Sequence, residues 1–289
     1  MYELKKLSPE EFPPQLLEIP EPPEQLYIRG VLPPENAILL AVVGSRKYSN
    51  YGKDVCEELI AGLAGFPIAI VSGLALGIDG IAHKAALKAG LATIAIPGSG
   101  LNDDVIYPAT HFGLAQEILA AGGALLSEFE PDFRAAQWAF PKRNRIMAGL
   151  CRAVLIIEAE ERSGTLITAR LALDYNRDVF VVPNSIFAEG SKGSNRLIRG
   201  GAMPVLSAED ILNELGFDPS SSIERGPTSL NLDSCSDDEK KVIAFLSEPL
   251  SRDELIRALK IPTHEANALL STMEIKGLIK EEMGMIRKR

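Results

Sequence analysis

The sequence predicts a doubly wound α/β domain with a mostly parallel sheet, followed by a small winged-helix-like unit. The first prediction depends on short aliphatic runs that alternate with longer helical stretches such as Tyr51 to Leu63 and Gly80 to Ala89. The runs are Ala37 to Val43, Ile68 to Val71, Thr93 to Ile96, Ala124 to Leu126, Ala153 to Glu158 and Val179 to Val182. Each run is apolar on both faces, as a buried parallel strand requires. In such a sheet, ligands bind at the carboxyl ends of the strands.

The chain divides into four segments along its 289 residues. Residues 1–36 contain repeated prolines, which oppose long helices and central strands, and are expected to form an extended lead-in that packs on the core. The doubly wound domain should occupy residues 37–216. Turn-forming residues predict a linker over 217–230. A winged-helix-like domain is then expected over 231–289.

Helix-capping patterns carry the prediction for this last segment. Ser236 precedes a helix over Asp237 to Leu246, Ser251 with Glu254 forms a capping box, and Thr263 opens a helix through Lys276. Leu278 to Lys280 and Met285 to Arg287 can pair as a hairpin. Three helices and a hairpin in so short a segment indicate a winged helix.

Composition excludes several classes of protein. No apolar run approaches the roughly 20 residues of a membrane helix, so no membrane role is expected. Cys56, Cys151 and Cys235 form no C-x-x-C pair, so neither a disulfide framework nor a metal site is expected, and a cytoplasmic location fits best. The formal net charge of -9 argues against overall basicity as a means of coating duplex DNA.

Small residues follow the first two predicted strands of the domain. Gly44-Ser45-Arg46 places a glycine turn and a guanidinium where backbone N–H groups can face a phosphate. An ordinary tight turn with an arginine in solvent explains the same residues. Ser72 and Gly73 end the second strand, and Gly73 allows close approach of a ligand to the backbone.

A carboxylate and an imidazole lie close together after the second strand. Asp79 and His83 are one helical turn apart, which is compatible with acid–base catalysis. A helix-capping aspartate beside a packed histidine explains the pair without any reaction, and this interpretation is favoured.

The most specific segment combines an aromatic ring with cations. Phe140, Lys142, Arg143, Asn144 and Arg145 lie just before a predicted helix, a combination suited to base stacking together with phosphate contacts. A solvated basic helix start is the alternative, and like charges at the positive end of a helix dipole disfavour it.

A further helix start follows the fifth strand and presents hydroxyls, a glycine and a cation. Ser163, Gly164, Thr165 and Arg170 can bind an anion or serve as an ordinary helix cap. Because several strand ends carry such turns, the crevice suits either a charged, flexible polymer or a nucleotide.

In order and spacing, these motifs resemble the DNA-processing protein A (DprA/Smf) family. The matching segments are Gly44 to Arg46, Ser72 to Asp79 with His83, Phe140 to Arg145, Ser163 to Arg170 and Asn195 to Ile198 with Gly201 and Ala202. The resemblance implies an extended Rossmann-like fold that binds single-stranded DNA without sequence preference, needs no cofactor and forms a homodimer. It also implies that the protein helps load the RecA recombinase in natural transformation.

The resemblance assigns roles to particular residues. Arg46 would contact phosphate, and Lys142, Arg143 and Arg145 would line the same positive pocket with Phe140 near the bases. Leu76, Ala109 and Asn184 depart from the family pattern, which usually has arginine, lysine and glycine at these positions. The first two departures remove positive charge from the expected DNA path.

Two alternatives remain open at this point. A nucleotide-processing enzyme of the phosphoribohydrolase kind would need a poised glutamate, for which Glu158 and Glu161 are the candidates. The tail helix from Thr263 carries little positive charge, so the tail is expected to make mainly protein contacts or to assist DNA binding weakly.

Overall fold

The computed structural model describes residues 2–219, 236–246, 248–276, 278–282 and 284–288. The chain forms two compact units, Met1–Arg225 and Gly226–Arg289. Most of the predicted linker over 217–230 lies outside the described residues. In the part of the chain that is described, no helix has the length and apolar character needed to span a bilayer.

One mixed sheet forms the centre of the first unit. Its strands are β1 Leu4–Leu7, β2 Leu26–Gly30, β3 Ile38–Val43, β4 Ile68–Ser72, β5 Ala92–Ala95, β6 Ala124–Ser127, β7 Ala153–Ile156, β8 Asp178–Val181 and β9 Met203–Pro204. Their spatial order is β1-β2-β6-β5-β4-β3-β7-β8-β9. In this spatial order, every neighbouring pair from β6 through β3 to β9 is parallel. By contrast, β2 runs antiparallel to both β1 and β6. The sequence prediction of a doubly wound, mostly parallel sheet is confirmed.

Helices cover both faces of this sheet. They are α1 Pro14–Leu17, α2 Asn50–Gly62, α3 Ile78–Lys88, α4 Phe112–Ala120, α5 Ala139–Leu150, α6 Gly164–Asp174, α7 Lys192–Arg199 and α8 Ala208–Glu214. Side chains alternate across a strand, so Leu40 and Val42 pack into one apolar layer while Ala41 and Val43 pack into the other. This two-sided burial explains why the strands are continuously apolar in sequence.

The N-terminal segment does more than pack on the core. Leu7, Phe12 and Leu16 are buried in one apolar layer, as a lead-in on the core would be. The segment also supplies β1 and β2, which the sequence analysis did not predict. The lead-in therefore contributes two strands to the sheet, because the prolines fall between and after these strands and leave their hydrogen bonds intact.

The second unit is a small α/β module whose elements match a winged helix. They are α9 Asp237–Phe245, β10 Leu250–Ser251, α10 Arg252–Leu259, α11 Thr263–Ile275, β11 Ile279–Glu282 and β12 Met285–Lys288. The capping box predicted at Ser251 is present, Ser236 forms a second one at the start of α9, and β11 and β12 pair as the predicted hairpin. A core that includes Leu255 and Leu270 holds the module together.

Candidate nucleic-acid interface

A pocket lies at the carboxyl edge of the sheet, where the loops after β3 and β4 meet the start of α5. It is lined by Arg46, Gly73, Ala75, Leu76, Tyr107, Pro108, Phe140 and Arg143. The parallel arrangement of β3, β4 and β5 places their following loops at one edge, which explains why residues far apart in sequence meet here.

Arg46 and Phe140 converge in this pocket. The Arg46 guanidinium carbon lies 5.3 Å from the centroid of the Phe140 ring, within cation–π distance. The Tyr107 ring is tilted against Phe140 with centroids 5.7 Å apart. Arg46 is exposed, so the pocket presents a cation beside two aromatic rings.

Two of the predicted hydroxyl groups face inward. The Ser72 hydroxyl donates to the Val42 carbonyl at 2.6 Å and ties β4 to β3. The Ser45 hydroxyl donates to the Lys47 carbonyl and accepts from the Lys47 N–H. Both serine hydroxyls therefore bind backbone groups of the loops, and neither serine lines the pocket.

Arg143 forms the base of the pocket, with only 4% of its surface exposed. Its Nη1 donates to the carbonyls of Gly73 and Ile96, and its Nε donates to the Asn144 side chain at 3.2 Å. Burial lowers the pKa of Arg143 to about 10, with the nearby Asp79 carboxylate acting in the opposite direction. Arg143 thus fixes the loops after β4 and β5 more than it faces solvent.

Arg145 is not in the pocket, contrary to the expectation of three cations along one trough. It is 8% exposed, forms an ion pair with the buried Glu128 and donates to the Glu21 carbonyl at 2.6 Å. Lys142 is half-exposed and also pairs with Glu128, at 3.3 Å. The carboxylate of Glu128, directly after β6, thus pairs with both cations.

The second predicted helix start lies elsewhere on the same edge. The Ser163 hydroxyl caps α6 by accepting from the Thr165 N–H at 3.2 Å, while Arg170 is exposed. Ser163, Gly164, Thr165 and Arg170 follow β7 and do not line the pocket. The structure therefore separates them from the Arg46–Phe140 group.

The Asp79–His83 pair has structural roles. Asp79 lies within α3 and accepts from the N–H groups of Gly73 at 3.1 Å and Ala75 at 3.4 Å. Burial raises its pKa. The His83 Nδ1 lies 2.7 Å from the Thr93 hydroxyl, and burial lowers the pKa of His83 to about 3. Asp79 holds the pocket loop rather than capping α3, and His83 is a packed, neutral histidine.

Of the two glutamates that an enzyme would need, Glu158 is engaged in the fold and Glu161 lies at the surface. The Glu158 carboxylate is buried and accepts from the Ser49 N–H at 2.9 Å and the Asn184 side chain at 3.2 Å. Exposed Glu161 lies 3.9 Å from Arg196. Asn184, where a glycine was expected, thus contributes to holding Glu158. Among the described residues, no group of three His, Cys, Asp or Glu side chains is placed to hold a metal ion.

Tyr107 and Leu76 were not among the predicted site residues, although Leu76 was noted as a departure from the family pattern. Leu76 is half-exposed at the pocket, where the resemblance leads one to expect arginine. Sequence reasoning also missed an aromatic group formed by Phe129, Phe133 and Trp138 beside the start of α5. Its signal was three large rings within ten residues, directly before the basic segment.

Fold and site together define a class: a Rossmann-like domain with a cationic, aromatic pocket at its strand ends, followed in sequence by a winged helix. The family model described as DNA recombination-mediator protein A matches residues 4–216, and the DprA winged helix domain matches residues 226–285. The chain belongs to the DNA recombination-mediator protein A family, which confirms the DprA/Smf resemblance.

Relatives and solved structures agree with this assignment. Protein Smf of Escherichia coli is 46% identical over 206 residues, a match that covers 71% of this chain and 54% of that protein. DNA processing protein DprA of Streptococcus pneumoniae is 44% identical over 206 residues, a match that covers 71% of this chain and 72% of that protein.

The X-ray structure of DNA processing protein A from Streptococcus pneumoniae is similar to this chain, with a TM-score of 0.69 and 41% sequence identity. The match covers 75% of this chain and 76% of that chain. A Helicobacter pylori DNA processing protein A structure, reported for its unique single-stranded DNA binding mode, has a TM-score of 0.65 at 33% identity. It covers 74% of this chain and 96% of that one.

Proposed function

We propose that this protein binds single-stranded DNA without sequence preference, and that the pocket around Arg46 and Phe140 is the centre of its binding site. The observation that carries the proposal is the position of the exposed Arg46 guanidinium over the Phe140 ring. A cation and an aromatic ring at one site can contact a phosphate and stack on a base of the same nucleotide. The single-stranded DNA binding mode reported for the Helicobacter relative supports this choice of ligand.

The pocket favours unpaired over duplex DNA. Stacking on Phe140 or Tyr107 needs a base whose face is free, and every base has such a face, so the contact does not depend on sequence. In the second unit, α11 contains no lysine or arginine between Thr263 and Ile275, which disfavours duplex reading by a recognition helix. We infer that the tail contributes protein contacts or weak assistance.

In this proposal, some of the other predicted residues support the pocket and others contact the DNA. An added Cβ at Gly73 would collide with the Arg143 guanidinium, so this glycine makes room for Arg143, which with Asn144 holds the pocket loops. Lys142 adds charge at the side of the site, and Arg145 fixes α5 through Glu128. The group Ser163, Gly164, Thr165 and Arg170 would contact the strand further along the edge.

Family membership supports a proposal for the wider role. We propose that the protein is a homodimer, protects incoming DNA, helps load RecA in natural transformation and catalyses no reaction itself. Cys56 and Cys151 are buried free thiols, which suits a reducing cytoplasm. The structural roles of His83 and Glu158 support the non-catalytic assignment.

The test is the Arg46→Ala variant, with single-strand affinity measured as a function of salt. Loss of one phosphate contact should weaken binding to all sequences alike and reduce the log–log salt slope by about 0.7. Arg152→Ala is the matched control, because Arg152 is an exposed arginine at the amino end of β7. Equal affinity and slope in the two variants would contradict the proposed site.

A further inference from the structure

An exposed tryptophan, Trp138, lies beside the proposed pocket but does not line it. Trp138 belongs to an aromatic cluster with Phe129 and Phe133, in the loop between β6 and α5. Its ring contacts Phe133 at 5.4 Å and meets Phe129 edge-on at 5.7 Å. The two phenylalanines stack at 4.6 Å and fix this arrangement. Yet 57% of Trp138 is exposed, so the cluster supports a large ring that faces solvent.

The aromatic cluster continues the proposed binding edge. Trp138 immediately precedes α5, and Phe140 of the pocket is two residues further on. Two residues of extended chain span at most about 7 Å, which is the length of about two nucleotides at the duplex rise per strand. A single strand held on Phe140 therefore reaches Trp138 within a few nucleotides.

Local charge indicates which part of the nucleotide Trp138 contacts. Lys142 lies over the Phe129 ring at 5.7 Å, but Glu128 already pairs with it. The same loop carries exposed Glu130 and Asp132 together with one exposed cation, Arg134, which lies 3.9 Å from the Asp104 carboxylate. These carboxylates disfavour phosphates close to the aromatic cluster, whereas the face of a base carries no net charge. The chemistry here suits base stacking without a phosphate contact.

We propose that Trp138 is a second stacking platform for the same strand and holds an unpaired base beyond the Arg46–Phe140 pocket. This inference rests on the proposed function. It adds a binding residue whose contribution is independent of salt, in contrast to that of Arg46.

Intrinsic fluorescence tests the proposal on the unmodified protein, because Trp138 is the single tryptophan of the chain. Stacking of a base on the indole should quench its emission when an oligothymidylate of about twelve residues binds. An abasic oligonucleotide of equal length supplies the phosphates without the bases and should leave the emission nearly unchanged. Binding itself is followed separately, by the anisotropy of a label on the DNA.

A variant measures the energetic contribution. Trp138→Ala should raise the Kd for the same oligothymidylate roughly tenfold and leave the salt slope unchanged, while Trp138→Phe should recover much of the affinity. Tyr2→Ala is the matched control, since Tyr2 is an exposed aromatic near the amino end of β6 and should have no effect.

The outcomes separate this inference from the proposed function. If the labelled DNA does not bind, the proposed function itself is wrong. If the DNA binds but the emission is unchanged, or if Trp138→Ala binds as tightly as the unmodified protein, the stacking role of Trp138 is overturned.

Discussion

At the residue scale, burial decides what each charged side chain does. Arg46 and Arg143 are the same residue type and both contact the pocket, but only Arg46 is exposed. The other guanidinium is held by backbone carbonyls. Sequence alone predicted that both belong to the site, because the motifs place them at strand and helix ends. It did not distinguish a ligand contact from a loop support, since that difference depends on which carbonyls surround the side chain.

His83 provides a test of this principle through pH. Its pKa is about 3 in the folded chain and about 6.5 when unfolded, so below neutrality the unfolded state binds the extra proton. Acidification from pH 6.5 should therefore cost up to about 1.4 kcal/mol of stability per pH unit from this residue. His83→Gln should lose that dependence, which denaturant titrations at pH 7 and pH 5 would measure.

Comparing the unmodified protein with the His83→Gln variant isolates the contribution of His83 to the pH dependence of stability. Asp79 has a raised pKa and acts in the opposite direction, but it is present in both. A stability difference between the two proteins that is the same at both pH values would show that His83 does not protonate on unfolding.

At the element scale, the periodicity of α5 sorts its side chains. Phe140 to Arg145 were predicted to lie just before a helix, whereas α5 already begins at Ala139. Residues three apart share a helix face. Phe140 and Arg143 therefore point to the pocket, and Lys142 and Arg145 to Glu128. The basic run is two groups rather than one because the helix separates them.

Gly98 provides the corresponding test at this scale. A Cβ at this position would lie 2.6 Å from Phe140 Cδ1, so Gly98→Ala should displace the ring. Such overpacking typically costs about 1–3 kcal/mol, and we expect weaker single-strand binding with a lower Tm. Gly113→Ala serves as the control, because no atom lies within 4 Å of its added Cβ. If both variants bind DNA equally well, the close packing at Gly98 does not set the position of Phe140.

At the scale of the whole molecule, the doubly wound core was predictable and its N-terminal extension was not. Continuous apolar runs identify strands buried on both faces, which is why β3 to β8 were found. Strands β1 and β2 were missed because the prolines around them dominate that part of the sequence. Strand β2, Leu26–Gly30, pairs with β1 on one side and β6 on the other. It nevertheless contains Tyr27 and Arg29, which interrupt the apolar pattern in the sequence.

The division into two units predicts independent function. A chain ending at Arg225 keeps the whole of the first unit, including the proposed pocket, and should bind single-stranded DNA with a closely similar Kd. A gel-shift titration of the truncated and full chains would measure this. Loss of binding by a truncated chain that still unfolds cooperatively would mean that the winged helix takes part in holding DNA.

The position of Glu158 bears on selectivity. Strand order reverses between β3 and β7, and in open α/β sheets this is where a nucleotide is usually bound. Here Ser49, in the loop after β3, and Asn184, in the loop after β8, hold the Glu158 carboxylate, which follows β7. A pyrophosphate would meet this buried carboxylate at the place where such folds normally offer N–H groups. Dinucleotides and nucleoside triphosphates are thereby disfavoured as ligands of the switch point.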